Sequence, residues 1–305
     1  LLDLLISAVS LSQRAAASLR PGVTGRALAS FRSVCDLATD AGEVVALVWG
    51  AVGNGPLNVV LNRGLEVVVP AGARFAVMGQ VLRVGEVVVD LSRAARWDAR
   101  PDWERLRARR GAVVAAARAA QRSIAGLREQ RLLKQAGPAV AAAVTAFQQA
   151  WRQTPRTDLQ SAIRDLRPAT CNLCGLGPGL TPAGDDWLAG WLLGQHLGGD
   201  LRGLVDLEGL IIKIAAGRTT TLARAFLECA AAGEADEAWH ELFDALAQED
   251  ANQQSDKSAN QQTNESVNQR TSAAMARIMR HGATSGAAML AGFFSAVEML
   301  ASIEN

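Results

Sequence analysis

Glu43-Val44-Val45-Ala46-Leu47-Val48-Trp49, Leu57-Asn58-Val59-Val60-Leu61, Glu66-Val67-Val68-Val69, Phe75-Ala76-Val77 and the run from Val81 to Asp90 follow one another, parted by Gly, Asn and Pro. Valine-rich runs suit a pleated, half-buried surface. Short runs separated by turn residues predict an antiparallel meander or small barrel rather than a parallel sheet. Gly53-Asn54-Gly55-Pro56, between the first two runs, reads most simply as a hairpin turn. Upstream, residues 1–20 carry apolar side chains at helical spacing and predict a helix ending near Pro21-Gly22. Downstream of Trp97-Asp98-Ala99-Arg100-Pro101 the pattern becomes helical. Helices are expected over 102–152 with a break near Gly137-Pro138, then over 158–166, 183–197, 203–232, 234–248 and 271–302. A β-rich front and a helical back make the chain α+β. The expected division is a β-rich N-terminal domain with a leading helix over 1–100 and an α-helical domain over 101–305.

Within the helical part, residues 248–270 are mostly Asn, Gln, Ser, Asp and Thr, with the near-repeat Ala-Asn-Gln-Gln-Ser (251–255) and Ala-Asn-Gln-Gln-Thr (259–263). Such a segment buries too little apolar surface to offset its ordering entropy and is expected to be a disordered insertion.

The chain has 305 residues, 49% hydrophobic and 20% charged, with net charge +1. No bulk field draws it to nucleic acid or membrane. The arginines from Arg93 to Arg131 lie on alanine-rich helices without interleaved aromatics, which reads as a solvated face. No uninterrupted apolar run reaches the length of a membrane span, and Leu1-Leu2-Asp3-Leu4-Leu5-Ile6 lacks the basic leader of a signal peptide. Four cysteines in this length make no disulfide scaffold. Together these features predict a cytoplasmic protein. Cys171-Asn172-Leu173-Cys174 is a lone CxxC without a second ligand pair, so its cysteines read as buried or incidental.

The chemistry concentrates in Gly175-Leu176-Gly177-Pro178-Gly179-Leu180-Thr181-Pro182-Ala183-Gly184-Asp185-Asp186. Alternating glycines free the backbone for tight turns and close approach to a ligand. Thr181 suits an N-cap and Pro182 the first helical position, so a helix is expected to start here. Unpaired N–H groups and the positive dipole end at such a start favour an anion. Neither a P-loop nor a dinucleotide fingerprint fits: no lysine is near, and Leu180 stands where the third glycine should be.

Two further segments share these ingredients: Gly217-Arg218-Thr219-Thr220-Thr221, and His281-Gly282-Ala283-Thr284-Ser285-Gly286 at another helix start. A few charge-assisted N–H bonds at about 1.5–3 kcal/mol each hold a small anion only weakly once association has cost at least about 4 kcal/mol. Micromolar binding therefore calls for convergence of these loops around one pocket. Asp185 and Asp186 would repel a bare anion, so Arg218 or a divalent cation such as Mg²⁺, held by Asp185 and Asp186, is expected to offset them.

The dodecapeptide 175–186 resembles the signature of the AllH-like family, formerly a domain of unknown function. Phe31-Arg32-Ser33-Val34-Cys35-Asp36-Leu37 and Gly53-Asn54-Gly55-Pro56 are similar to the family's N-terminal part. Gly282-Ala283-Thr284-Ser285-Gly286 resembles its C-terminal loop, and Trp97-Asp98 and the threonines after Arg218 extend the likeness. Ala183, in place of a serine, and Ala288, where a Ser-Gly-x-Asp pattern would put aspartate, depart from the family pattern.

The resemblance implies a subunit of oxamate carbamoyltransferase, acting with other subunits of a complex in allantoin breakdown. The reaction it implies exchanges a carbamoyl group between oxalurate plus phosphate and oxamate plus carbamoyl phosphate, all small anions. On that reading Asp185, Asp186 and Arg218 are the catalytic candidates. Gly177, Gly179, Thr181, Gly184, Thr219, Thr220, Thr284, Ser285, Gly286, Asn54 and His281 would bind substrate. The alternative is a non-catalytic scaffold or sensor subunit that binds a carboxylate or phosphate.

Overall fold

The computed structural model describes residues 5–65, 67–123, 129–153, 159–202, 207–248, 257–282 and 284–302. The chain separates into two units, Leu1–Ala99 with Ala235–Glu237, and Arg100–Glu234 with Ala238–Asn305. The architecture is α+β: a β barrel in the first unit and a mostly helical second unit.

In the first unit, β1 (Leu5–Ser12) is followed by a short helix, α1 (Gln13–Ser18). β2 (Thr24–Ser30), β3 (Val34–Thr39), β4 (Val44–Val48), β5 (Asn58–Leu61), β6 (Arg74–Met78), β7 (Val81–Val84), β8 (Val87–Asp90) and β9 (Ala95–Trp97) follow. The sheet order is β5-β4-β3-β2-β6-β7-β8-β1, and β1 pairs with β5 to close the ring; β9 adds to β1. Inside lie Leu37, Leu47, Val59, Leu82 and Val89, all fully buried.

Several local expectations are corrected here. The leading helix is largely strand: Ile6 and Ala8 are buried while Ser7 and Val9 are exposed, the period-2 alternation of a strand, and Leu11 is buried beyond a register shift between Ala8 and Ser10. Pairing with β5, β8 and β9 outweighs helical spacing until Ser12 caps α1, its Oγ accepting from the Ala15 amide at 2.9 Å. The Val81–Asp90 run folds back on itself at Gly85, whose φ of +55° suits a turn glycine, giving two antiparallel strands. Val67–Val69 form no strand, and Glu66 lies outside the described residues.

The Gly53–Pro56 segment is not a hairpin, because β4 and β5 run parallel. The Ser10 hydroxyl donates to Asn54 Oδ1 at 2.6 Å and the Ser12 hydroxyl to the Pro56 carbonyl at 2.6 Å. These bonds hold the loop against β1, which lies antiparallel to β5.

The second unit comprises α2 (Trp103–Ala108), α3 (Arg110–Ser123), α4 (Glu129–Ala136), α5 (Pro138–Gln153), α6 (Leu159–Leu173), α7 (Ala183–Gln195), α8 (Leu207–Ala215), α9 (Thr221–Ala231), α10 (Glu237–Gln248), α11 (Lys257–Ile278) and α12 (Ser285–Ala301). Glu237, the first residue of α10, belongs to the first unit. α6 passes through Pro168 instead of ending near residue 166. The polar tract expected to be disordered is helical from Lys257 onward; residues 249–256 lie outside the described residues. The helix runs on into Ala274, Met275 and Ile278, whose burial anchors its C-terminal end.

α7 is buried along its whole length, as expected of a helix apolar on every side. It packs against α12 at backbone distance. A Cβ on Gly190 would lie 1.8 Å from the Met289 carbonyl oxygen, and one on Gly292 would lie 1.9 Å from that of Trp187. Phe147 meets Trp187 and Trp191 edge-on at 5.3 Å, closing α5 over the pair. This central crossing fixes the two helix starts that carry the candidate site.

Candidate functional site

The segment 175–186 ends α6, turns through three positive-φ glycines (Gly175 +75°, Gly177 +122°, Gly179 +94°) and opens α7. Gly175 is compelled by space as well as by φ, since a Cβ there would sit 2.1 Å from the Arg218 carbonyl oxygen. Gly184 is equally constrained, 2.1 Å from the Leu173 carbonyl. The loop is thus pressed against the turn between α8 and α9 on one side and the end of α6 on the other.

The helix cap differs from the sequence expectation by one residue. Pro182 occupies the N-cap position and makes no side-chain cap bond. Thr181 instead turns its hydroxyl to Ser285 Oγ, 3.0 Å away at the start of α12. Three of the four first-turn amides of α7 are also not open. Gly184 N donates to the Leu176 carbonyl at 2.9 Å, and the amides of Asp185 and Asp186 donate to the Pro182 carbonyl at 2.9 and 3.1 Å. The loop backbone itself satisfies these three, and the Ala183 amide has no protein acceptor among the described residues. The other amides without a protein acceptor among the described residues of this segment lie earlier, at Gly177, Gly179, Leu180 and Thr181, in a stretch where Pro178, Gly179 and Leu180 are solvent-exposed.

The two aspartates face different partners. Asp185 is 2% exposed and accepts from Gly175 N with both oxygens at 3.1 Å and from the Thr219 hydroxyl at 2.5 Å. Burial pushes its carboxyl up, against the Thr219 and Gly175 bonds that pull it down. Asp186, 6% exposed, is pushed up to about 7, chiefly by burial; a Ser285 hydrogen bond opposes this and the Asp185 charge adds to it. Its Oδ2 is buried without a hydrogen-bonding partner. No group of three or more His, Cys, Asp or Glu that could hold a metal comes together among the described residues.

Thr219 and Thr220 tie the α8–α9 turn to the loop. Thr220 caps α9 by accepting from Ala223 N at 3.0 Å, and its hydroxyl donates to the Leu180 carbonyl. Arg218 places its backbone against Gly175 while its side chain is exposed and makes no hydrogen bond or ion pair among the described residues. At the α12 start, Gly286 N donates to the His281 carbonyl at 3.0 Å, and a Cβ on Gly286 would lie 1.9 Å from the Ile278 carbonyl oxygen. Thr284 is the N-cap without a side-chain cap bond.

The three segments singled out in the sequence therefore meet: 175–186, 217–220 and 284–286. Asn54 belongs to the first unit, where its side chain accepts from Ser10 and its carbonyl accepts from Glu237 N. A groove of about 440 Å³ between α4 and α5, lined by Leu133, Lys134, Pro138, Ala141, Val144 and Gln148 among others, contains none of the site residues.

Removing the Thr219 hydroxyl tests how firmly Asp185 is held. Thr219→Val leaves a buried carboxylate short of a donor, which costs about 1–3 kcal/mol. The expected result is a melting point lower by several degrees, and an unchanged melt would remove Thr219 from this role.

The second cysteine of the CxxC neighbours the site. Cys174 is buried, and its thiol is pushed up to about 12 by burial, then by Asp185 and Cys171, with Arg218 acting in the opposite sense. A thiol so placed stays protonated and inert. His196 is a satisfied core residue: Nε2 meets the Ala230 carbonyl at 2.9 Å and the ring packs on Trp103.

The family model described as oxamate carbamoyltransferase subunit AllH matches residues 173–263. Over that stretch the chain resembles AllH. The AllH match takes in the whole glycine-rich loop, α7 and the Arg218–Thr221 turn, and stops before the α12 start that supplies Ser285. No curated protein and no solved structure matches the chain. No helix among the described residues is long and apolar enough to cross a membrane.

Proposed function

We propose that this chain is a subunit of a cytoplasmic carbamoyltransferase complex that exchanges a carbamoyl group between oxalurate plus phosphate and oxamate plus carbamoyl phosphate. The observation that carries the reading is the convergence of three loop–helix segments on one buried aspartate pair inside the AllH-matched region. The loop amides of Gly177, Gly179, Leu180 and Thr181 are the donors for a small anion or for the oxyanion of a tetrahedral intermediate, where such donors have their largest effect. The exposed guanidinium of Arg218 is the group for a substrate carboxylate, which it can meet with two parallel hydrogen bonds. Asp185, held by Gly175 and Thr219, fixes the loop; Asp186 is the proton-exchanging group.

The internal pairing of the first-turn amides favours a second reading, a binding subunit that presents the anion to its partners. The test is a thermal-shift series on the purified chain with phosphate, oxamate, oxalurate and carbamoyl phosphate, with and without Mg²⁺, followed by carbamoyl-transfer assays with and without the other subunits. Saturation at 100 times Kd adds about 2.7 kcal/mol, or roughly 5–11 °C at 2–4 °C per kcal/mol. No shift with any of the four refutes anion binding. A shift with no transfer in the assembled complex selects the binding subunit.

A further inference from the structure

We propose that Thr181 and Ser285 form a two-hydroxyl proton relay that connects the buried Asp186 carboxylate to the exposed glycine-rich loop. The inference rests on the carbamoyl-transfer reading and names the route by which its proton moves.

Asp186 is buried beneath the helix start, whereas the loop amides lie at the surface. A proton-exchanging carboxylate so placed needs an intermediary. Ser285 hydrogen-bonds Asp186, and Ser285 Oγ lies 3.0 Å from Thr181 Oγ1, where either hydroxyl can donate. That ambiguity is the property a relay requires: each oxygen passes on one proton as it receives another, and the chain reverses direction without moving a heavy atom. The pair joins two helices clamped at backbone distance, α7 by its start and α12 by its own. Asp186 Oδ2 remains without a partner, although a buried carboxylate oxygen left unpaired is costly. An orphaned acceptor kept in the middle of a well-packed core is consistent with a group that cycles between its acid and its anion.

The reaction needs this transfer. Hydrogen phosphate attacks the carbamoyl carbon of oxalurate, the new C–O bond forms, and the C–N bond to the oxamate nitrogen breaks. Phosphate loses its proton and the departing nitrogen gains one, so no net proton is taken from water. In the relay, the phosphate proton passes to Thr181 as the Thr181 proton passes to Ser285 and the Ser285 proton to the Asp186 carboxylate. Reversal of the same three transfers then delivers a proton to the leaving nitrogen.

The experiment compares Ser285→Ala, Thr181→Val and Thr181→Ser with the wild type in the assembled complex, measuring kcat and KM for phosphate and the dependence of kcat on the deuterium fraction of the solvent. The relay predicts that Ser285→Ala and Thr181→Val each lower kcat about 100-fold with KM within twofold. Thr181→Ser, which keeps the hydroxyl, should stay within about fivefold of wild type. A curved deuterium dependence in the wild type marks more than one proton in flight.

Loss of kcat in Ser285→Ala but not in Thr181→Val overturns the two-hydroxyl chain. A raised KM with kcat unchanged, or full activity in both variants, overturns the relay altogether while leaving carbamoyl transfer in place. Absence of transfer by the wild-type complex removes the underlying reading and the relay with it. A melting point within 2 °C of wild type for each variant is the folding control, and a variant that melts earlier is replaced by Ser285→Cys.

Discussion

Gly190→Ala is expected to cost the protein a substantial share of its stability margin, and Gly292→Ala to do the same. The added methyl at residue 190 would lie 1.8 Å from the Met289 carbonyl oxygen, and at residue 292 it would lie 1.9 Å from that of Trp187. Both obstacles are backbone, which cannot rotate aside as a side chain can. α7 and α12 must therefore separate, uncovering Trp187, Leu188, Phe293 and Phe294, which are now fully buried. Overpacking costs about 1–3 kcal/mol, occasionally more, against a total of roughly 5–15 kcal/mol. For each variant a loss of about 3 kcal/mol corresponds to a melting point lower by roughly 6–12 °C. The same separation would part Thr181 from Ser285, so binding of phosphate should weaken in whatever fraction remains folded. Alanine's higher helix propensity works in the opposite direction by only about 1 kcal/mol. A melting point equal to wild type would show that the two helices do not cross at these glycines.

Asp186→Asn is expected to separate catalysis from stability. Carbamoyl transfer should fall at least about 100-fold, since the amide cannot exchange a proton at neutral pH. Stability should move the other way. The folded-state carboxyl is raised to about 7 from 3.8, so the stabilisation it contributes is fully present below about pH 4 and is lost as pH rises through 7. Above pH 7 the protein pays to bury the anion, with an upper bound of about 4 kcal/mol from three pKa units. Asparagine removes that cost. The melting point of the variant should exceed that of wild type at pH 8, and the gap should close toward pH 5. Asp36, raised to about 6 by burial in the barrel unit, titrates with the same sign in both proteins and leaves a smaller residual slope. A variant less stable than wild type at pH 8, or one that retains turnover, would remove Asp186 from the role assigned to it.

Much of the helical part was legible because its signals are local. The break at Gly137-Pro138, the helix start near Pro182 and the turn before α9 follow from proline's missing donor, glycine's φ range and threonine's capping hydroxyl. The three site segments were recognisable by the same chemistry. What spacing did not reveal is how they are used. The Thr181 hydroxyl belongs to Ser285, 104 residues away, and Asp185 belongs to Gly175 and Thr219. A first-turn acid on a helix looks the same in sequence whether it faces water or a neighbouring backbone.

By itself, then, the order of residues determined the α+β class, the valine-rich strands and the glycine-rich entry to α7, because each depends on φ preferences, side-chain shape and the periodicity of one segment. Tertiary structure alone decided that residues 5–12 are strand, that Gly53–Pro56 joins parallel strands, and that the amides of Gly184, Asp185 and Asp186 in the first turn of α7 are satisfied by the loop itself. Each of these outcomes depends on which distant backbone completes a hydrogen bond, and a hydrogen bond between distant segments exists only once packing has brought its donor and acceptor within about 3 Å.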